Sequence, residues 1–197
     1  MPLPAPQPRT PMHTRQVVYN GWRRDDGLWD LEAVLTDTKP FAADLYRPAP
    51  LPAGSPVHDL SIRVTLDDAF VVQAIATSMD ATPFGECQQA TDPMQQVVGV
   101  RMGPGWRQAL ERILGGVRGC THLRELLFNM ATVAYQTIPS GQMHLRRLAG
   151  EPEPAQEGPP YHVGRCITWD AEGAVVRRHH PEFVGWQPLR RKTVVQG

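Results

Sequence analysis

Cysteine is scarce: Cys87, Cys120 and Cys166 are the only three in 197 residues. An odd and widely spaced set does not suggest a disulfide framework, and reduced thiols are expected, either available for chemistry or buried as small apolar groups. No apolar run approaches the roughly 20 residues that span a bilayer, and the opening MPLPAPQPRTPM lacks the apolar centre of a secretory signal. An excess of charge of one sign is missing too. Twenty Lys and Arg balance twenty Asp and Glu, so no overall field favours nucleic acid, an anionic membrane or a polyanionic partner. Nor is there a glycine-rich loop of the Walker or Rossmann kind, which leaves nucleotide dependence unsupported. The expectation is a soluble, cytoplasmic protein that meets a small molecule.

A hydrophobic content of 41% over this length suffices for one full core and a small appendage. Residues 1–11 hold five prolines among small and polar residues and read as a disordered leader. From Thr14 to Asn20 the pattern alternates. After the turn-prone Arg24-Asp25-Asp26-Gly27 it resumes, with Trp29, Leu31, Ala33 and Leu35 facing one way and Asp30, Glu32, Val34 and Thr36 the other. A second hairpin is predicted from Ser61 to Leu66 and Phe70 to Ala76 about a tight Asp67-Asp68 turn. The apolar period then changes. Trp106, Leu110, Ile113 and Leu114 mark one amphipathic helix, and Leu123, Leu126, Leu127, Met130 and Ala134 another, separated by Gly115-Gly116.

Strands first and helices afterwards predict an α+β fold: an antiparallel sheet of about four strands, made of two hairpins and covered by two or three helices. The main domain is placed at residues 12–145. Residues 146–160 include the acidic, proline-rich stretch Glu151 to Pro160 and read as a linker or exposed loop. Residues 161–197 are predicted as a small hairpin, turning at Ala171-Glu172-Gly173, with a tail, docked on the main domain.

Polar residues suited to chemistry gather in three places. The stretch RGCTHLRELL puts Cys120 and His122 where a helix begins, with Gly119 for a sharp entry and Thr121 as a hydroxyl cap. A thiol there is favoured as thiolate by the helix dipole. Pro56-Val57-His58-Asp59 leads into one strand, and Pro83-Phe84-Gly85-Glu86-Cys87 follows its partner, so both belong to one edge of the hairpin. If the helix starts at that edge, His58, Asp59, Cys87 and Cys120 converge as a zinc or iron site. His122 then serves as a fifth candidate or in proton transfer, and Cys120, His122 and Asp59 form the catalytic set. Arg24, Glu32, Asp37 and Lys39 read as a solvated strand face. His179-His180 reads as a surface pair or as a further ligand from the tail.

Two resemblances add to this. The segment from Met12 to about Gln136, with Arg24 to Asp30, Asp37-Thr38-Lys39, Pro56 to Asp59, Pro83 to Cys87 and Gly119 to Leu123, closely resembles a bacterial family catalogued as a domain of unknown function. More distantly, the order of PVHD, hairpin, cysteine and GCTHLRELL is similar to iron-sulfur scaffold proteins of the NifU and IscU type. That likeness implies an IscU/SufE-like core in which Cys87 and Cys120 take two of the three cysteine positions and His58 stands in for the third. It departs from the pattern at His58, which suits a mononuclear metal at least as well as a cluster.

Three functions follow as expectations. The first is a metal-dependent hydrolase or lyase acting on a small organic substrate. The second is a metal-free enzyme using Cys120 or a nearby histidine as nucleophile or acid/base. The third is a carrier or scaffold for sulfur or an iron-sulfur cluster.

Overall fold

The computed structural model describes residues 3–45, 48–152, 154 and 158–187. Four strands, β1 (Thr14–Arg23), β2 (Trp29–Thr38), β3 (Pro56–Leu66) and β4 (Val72–Ala81), form one antiparallel sheet in the order β1-β2-β3-β4. The alternation of β2 is the clearest link from sequence to packing. Trp29, Leu31, Ala33 and Leu35 are all buried, and so are Leu60, Ile62, Val64 and Leu66 of β3 on the same face. The tight Asp67-Asp68 turn proves longer than expected. The Asp67 carboxylate accepts from the Ala69 and Val71 amides, each at 2.9 Å, so the chain loops through Phe70 at φ 66° before β4 begins at Val72.

Two 3-10 segments, Gly85–Ala90 and Asp92–Val97, follow β4, and two helices then cover the sheet: α1 (Trp106–Leu114) and α2 (Thr121–Leu148). Buried Leu123, Leu126, Leu127, Met130, Ala134 and Ile138 of α2 keep helical spacing and join the strand residues in one core. Between the helices, Gly116 takes φ 62°, a left-handed conformation that glycine adopts without cost. The predicted α+β architecture is the observed one.

Contacts along α2 fix its direction. Near its start the Leu126 carbonyl accepts from the Tyr19 hydroxyl at 3.2 Å, and nineteen residues beyond His122 the backbone of Gly141 lies under the Trp29 indole. The helix therefore runs along β1 and β2 from the Asp37 end of the sheet to the Trp29 end. No helix among the described residues is long and apolar enough to cross a membrane.

The chain divides into two compact units, residues 1–145 and 146–197. The predicted linker is entered later than expected, because α2 continues to Leu148. The predicted C-terminal hairpin is not formed. Residues Ile167–Trp169 make a 3-10 turn, and α3 (Ala174–His179) follows. The turn at Ala171-Glu172-Gly173 is a helix entry: the Asp170 side chain accepts from the Glu172 amide at 3.0 Å and its carbonyl from the Gly173 amide at 2.8 Å. Val163, Ala171 and Val176 with Trp169, Phe183 and Trp186 make a small core for this unit. The predicted tail beyond residue 187 lies outside the described residues.

Candidate functional site

A polar row crosses three neighbouring strands on the helix-covered face. In the register, Arg15 of β1 is opposite Asp37 of β2, and Asp37 is opposite His58 of β3. Asp37 continues the buried series of Trp29, Leu31, Ala33 and Leu35, and only 2% of it is exposed. A carboxylate so placed needs partners. The Arg15 guanidinium grips it with two of its three nitrogens, Nε to Oδ1 and Nη2 to Oδ2, each at 2.9 Å. His13 Nε2 lies 2.9 Å from Oδ1 and His58 Nδ1 3.0 Å from Oδ2. All four contacts favour the ionised carboxylate.

α2 completes the site from above. Its first helical residue is Thr121, and the Arg124 amide donates to the Cys120 carbonyl at 3.0 Å, so Cys120 rather than Thr121 occupies the capping position. Gly119 is extended there. What it supplies is room, since an added Cβ would lie 3.0 Å from the Leu114 carbonyl. His122 in the first turn then stands over His58 with ring centroids 4.1 Å apart. Glu125, one turn on, accepts from Arg15 Nη1 at 3.1 Å. Because Cys120 lies outside the regular helix, its Sγ can approach His122 Nδ1 to 3.8 Å.

Among the described residues, the group of ligand-type side chains whose atoms all lie within 4.8 Å of one another is Asp37, His58 and His122. Two of the three, His58 and His122, were expected at the site. Asp37 was expected on a solvated face and is instead buried at its centre. The expected set of His58, Asp59, Cys87 and Cys120 does not form such a group. Asp59, adjacent to His58 on β3, falls on the opposite face of the sheet because strand side chains alternate. Cys87, in the 3-10 segment after β4, and Cys120 instead line one open cleft of about 640 Å³. His179 and His180 belong to the other compact unit.

Burial pushes Asp37 upward, but the Arg15 guanidinium, His13 and His58 outweigh it and hold the carboxyl at about 2. Burial lowers His58, against the pull of Asp37, and it lowers His122, to which the neighbouring His58 adds. Both imidazoles are thus neutral at pH 7. Ring-proton NMR of chelator-treated protein is expected to show both titrating below 6.5; a midpoint at or above that value for either ring contradicts the burial argument. A histidine lowered on folding destabilises the fold as pH falls through 6.5, where the unfolded chain takes up the proton first.

The fold and site therefore define an α+β domain with a carboxylate and two imidazoles gathered beneath a helix start. The family model for proteins of unknown function, DUF2889, matches residues 13–136, and the chain belongs to that family. The match contains His13, Arg15, Asp37, His58, His122 and Glu125 and ends short of the second unit. No curated protein and no solved structure matches the chain.

Proposed function

We propose that this DUF2889 chain is a metal-dependent hydrolase or lyase for a small organic substrate, with a zinc or ferrous ion held at Asp37, His58 and His122. The observation that supports this is the approach of the three side chains, from two strands and a helix, to within 4.8 Å. Neutral imidazoles are the ligating form of histidine, and two of them beside a carboxylate suit a mononuclear zinc or iron ion better than they suit an iron-sulfur cluster. A cytoplasmic setting belongs to the same proposal and rests on the reduced thiols.

The chain's own residues have separable tasks. Asp37 accepts from His58 Nδ1 and so fixes the tautomer that leaves the Nε2 lone pair available, as carboxylates do behind metal-bound histidines. Asp37 itself enters the shell only by releasing one of its four contacts. Arg15 ties the sheet side of the site to the helix side through Asp37 and Glu125. A bound ion would polarise a carbonyl or acidify a water. Glu125, one turn from His122, is the carboxylate available to take up the proton.

Metal analysis of protein purified without an affinity tag tests the reading. About one equivalent of zinc or iron is expected, falling at least tenfold in His58→Ala and in His122→Ala. Less than about a tenth of an equivalent in the wild-type protein overturns it. One observation favours a second reading: Cys120 Sγ lies 3.8 Å from His122 Nδ1, a thiol beside an imidazole, as a metal-free nucleophile or acid/base pair needs. Selective alkylation of Cys120 in metal-free protein, abolished by His122→Ala, distinguishes it.

A further inference from the structure

The cleft shared by Cys87 and Cys120 adjoins the site without being part of it. Its walls come from the 3-10 segments after β4 and from the turn before α2, and they include Phe84, Cys87, Ala90, Pro93, Val117 and Cys120. These are apolar or weakly polar groups, and at about 640 Å³ the cleft lies within the range of small-molecule sites. Its charged lining residues, Glu86 and Arg118, are opposite in sign, so the cleft selects for no net charge. Cys120 is the hinge between the two regions: it lines the cleft, and its Sγ lies 3.8 Å from His122 Nδ1. The His58 and His122 pair thus meets a largely apolar cleft at Cys120.

We infer that the substrate is an acyl compound with an uncharged apolar body, which lies along this cleft past Cys87 and Cys120 and presents its carbonyl to the His58 and His122 site. This rests on the proposed metal-dependent reading for the head group alone; the cleft holds the body by apolar contact. Phe84 and Val117 are both exposed, so they offer apolar surface that a ligand's chain would cover.

The three cysteines supply the test. Octanohydroxamic acid and acetohydroxamic acid carry the same metal-chelating head and differ in chain length. Each methylene that enters apolar surroundings tightens binding roughly fourfold, so the longer probe is expected to bind at least about 50-fold more tightly to zinc-supplied protein. With it bound, alkylation of Cys87 and Cys120 by N-ethylmaleimide slows at least about fivefold, while exposed Cys166, in the other unit, reacts unchanged. Phe84→Ala combined with Val117→Ala removes most of the chain-length gain and leaves acetohydroxamate binding as it was. Equal affinity for the two probes, or unslowed alkylation of Cys87 with zinc bound, overturns the inference and leaves the metal reading standing. Protection of Cys87 and Cys120 in protein that retains no zinc overturns the metal reading and leaves the cleft. No zinc and no protection overturns both, and equal slowing of Cys166 reveals a nonspecific probe and counts against the cleft.

Discussion

Replacing Asp37 by Asn is expected to lower stability at pH 7 by about 2 to 3 kcal/mol. Held at about 2 rather than the ordinary 3.8, the carboxylate contributes roughly 2.5 kcal/mol when ionised. Removing one partner of a buried ion pair costs about 3–5 kcal/mol, and the partial exposure of Arg15 places this site at the low end of that range. The two estimates agree. For a domain of this size the melting temperature falls by roughly 5 to 10 °C. The pH dependence separates this cause from a general packing defect. A carboxyl depressed on folding stabilises fully above 3.8, and the contribution is lost as pH falls through about 2. Thermal unfolding of chelator-treated wild type and Asp37→Asn should therefore differ at pH 7 and converge towards pH 2. A gap that stays constant across that range contradicts the ion-pair account.

Gly141→Val is expected to cost about 1–3 kcal/mol through overpacking. In an ordinary exposed helix position, replacing glycine gains up to about 1 kcal/mol, so the sign is set by what lies beneath. A Cβ on Gly141 would sit 2.6 Å from Cη2 and 2.7 Å from Cζ3 of Trp29. The indole has little room to retreat, because its Nε1 donates to Asp68 at 2.8 Å and the Arg23 guanidinium lies 4.5 Å over its ring. A double-mutant cycle with Trp29→Leu checks this. Trp29→Leu is destabilising alone, yet in that background Gly141→Val should cost little, a coupling of about 1–3 kcal/mol. Additive losses contradict the close-approach argument.

The sheet was legible because β2 alternates without interruption, and α2 because its apolar residues keep helical spacing for four turns. Those patterns report burial, and burial decides the fold. The hairpin expected in the second unit gives way to a helix because Ala171 to Gly173 suits a hairpin turn and a helix entry alike, and short apolar stretches on either side do not discriminate. At the site, His58 and His122 stand out by residue type, whereas Asp37 reads as surface charge. The signal for it was present: Asp37 has the same parity as Trp29, Leu31, Ala33 and Leu35. A charged residue that continues a core series is either at a frayed end or held by partners. Arg15 and His58, two strands apart, could be recognised as those partners only once the register was known. The cysteines misled for a complementary reason. Their chemistry suits a metal, but Cys87 sits on a 3-10 segment outside the sheet, so strand pairing could not place it.

The cross-strand row of Arg15, Asp37 and His58 gives the site a discrete character. Sheet register moves only by whole residues, and a slip of one residue sends the displaced side chain to the other face. Misalignment of β1, β2 or β3 would therefore delete a member of the row outright. Gradation can enter only from α2, whose first turn carries His122 and Glu125 and can tilt or fray by small amounts. The sheet thus behaves as an on-off element and the helix start as the adjustable one, so graded tuning of this site belongs to the ten or so residues around Cys120.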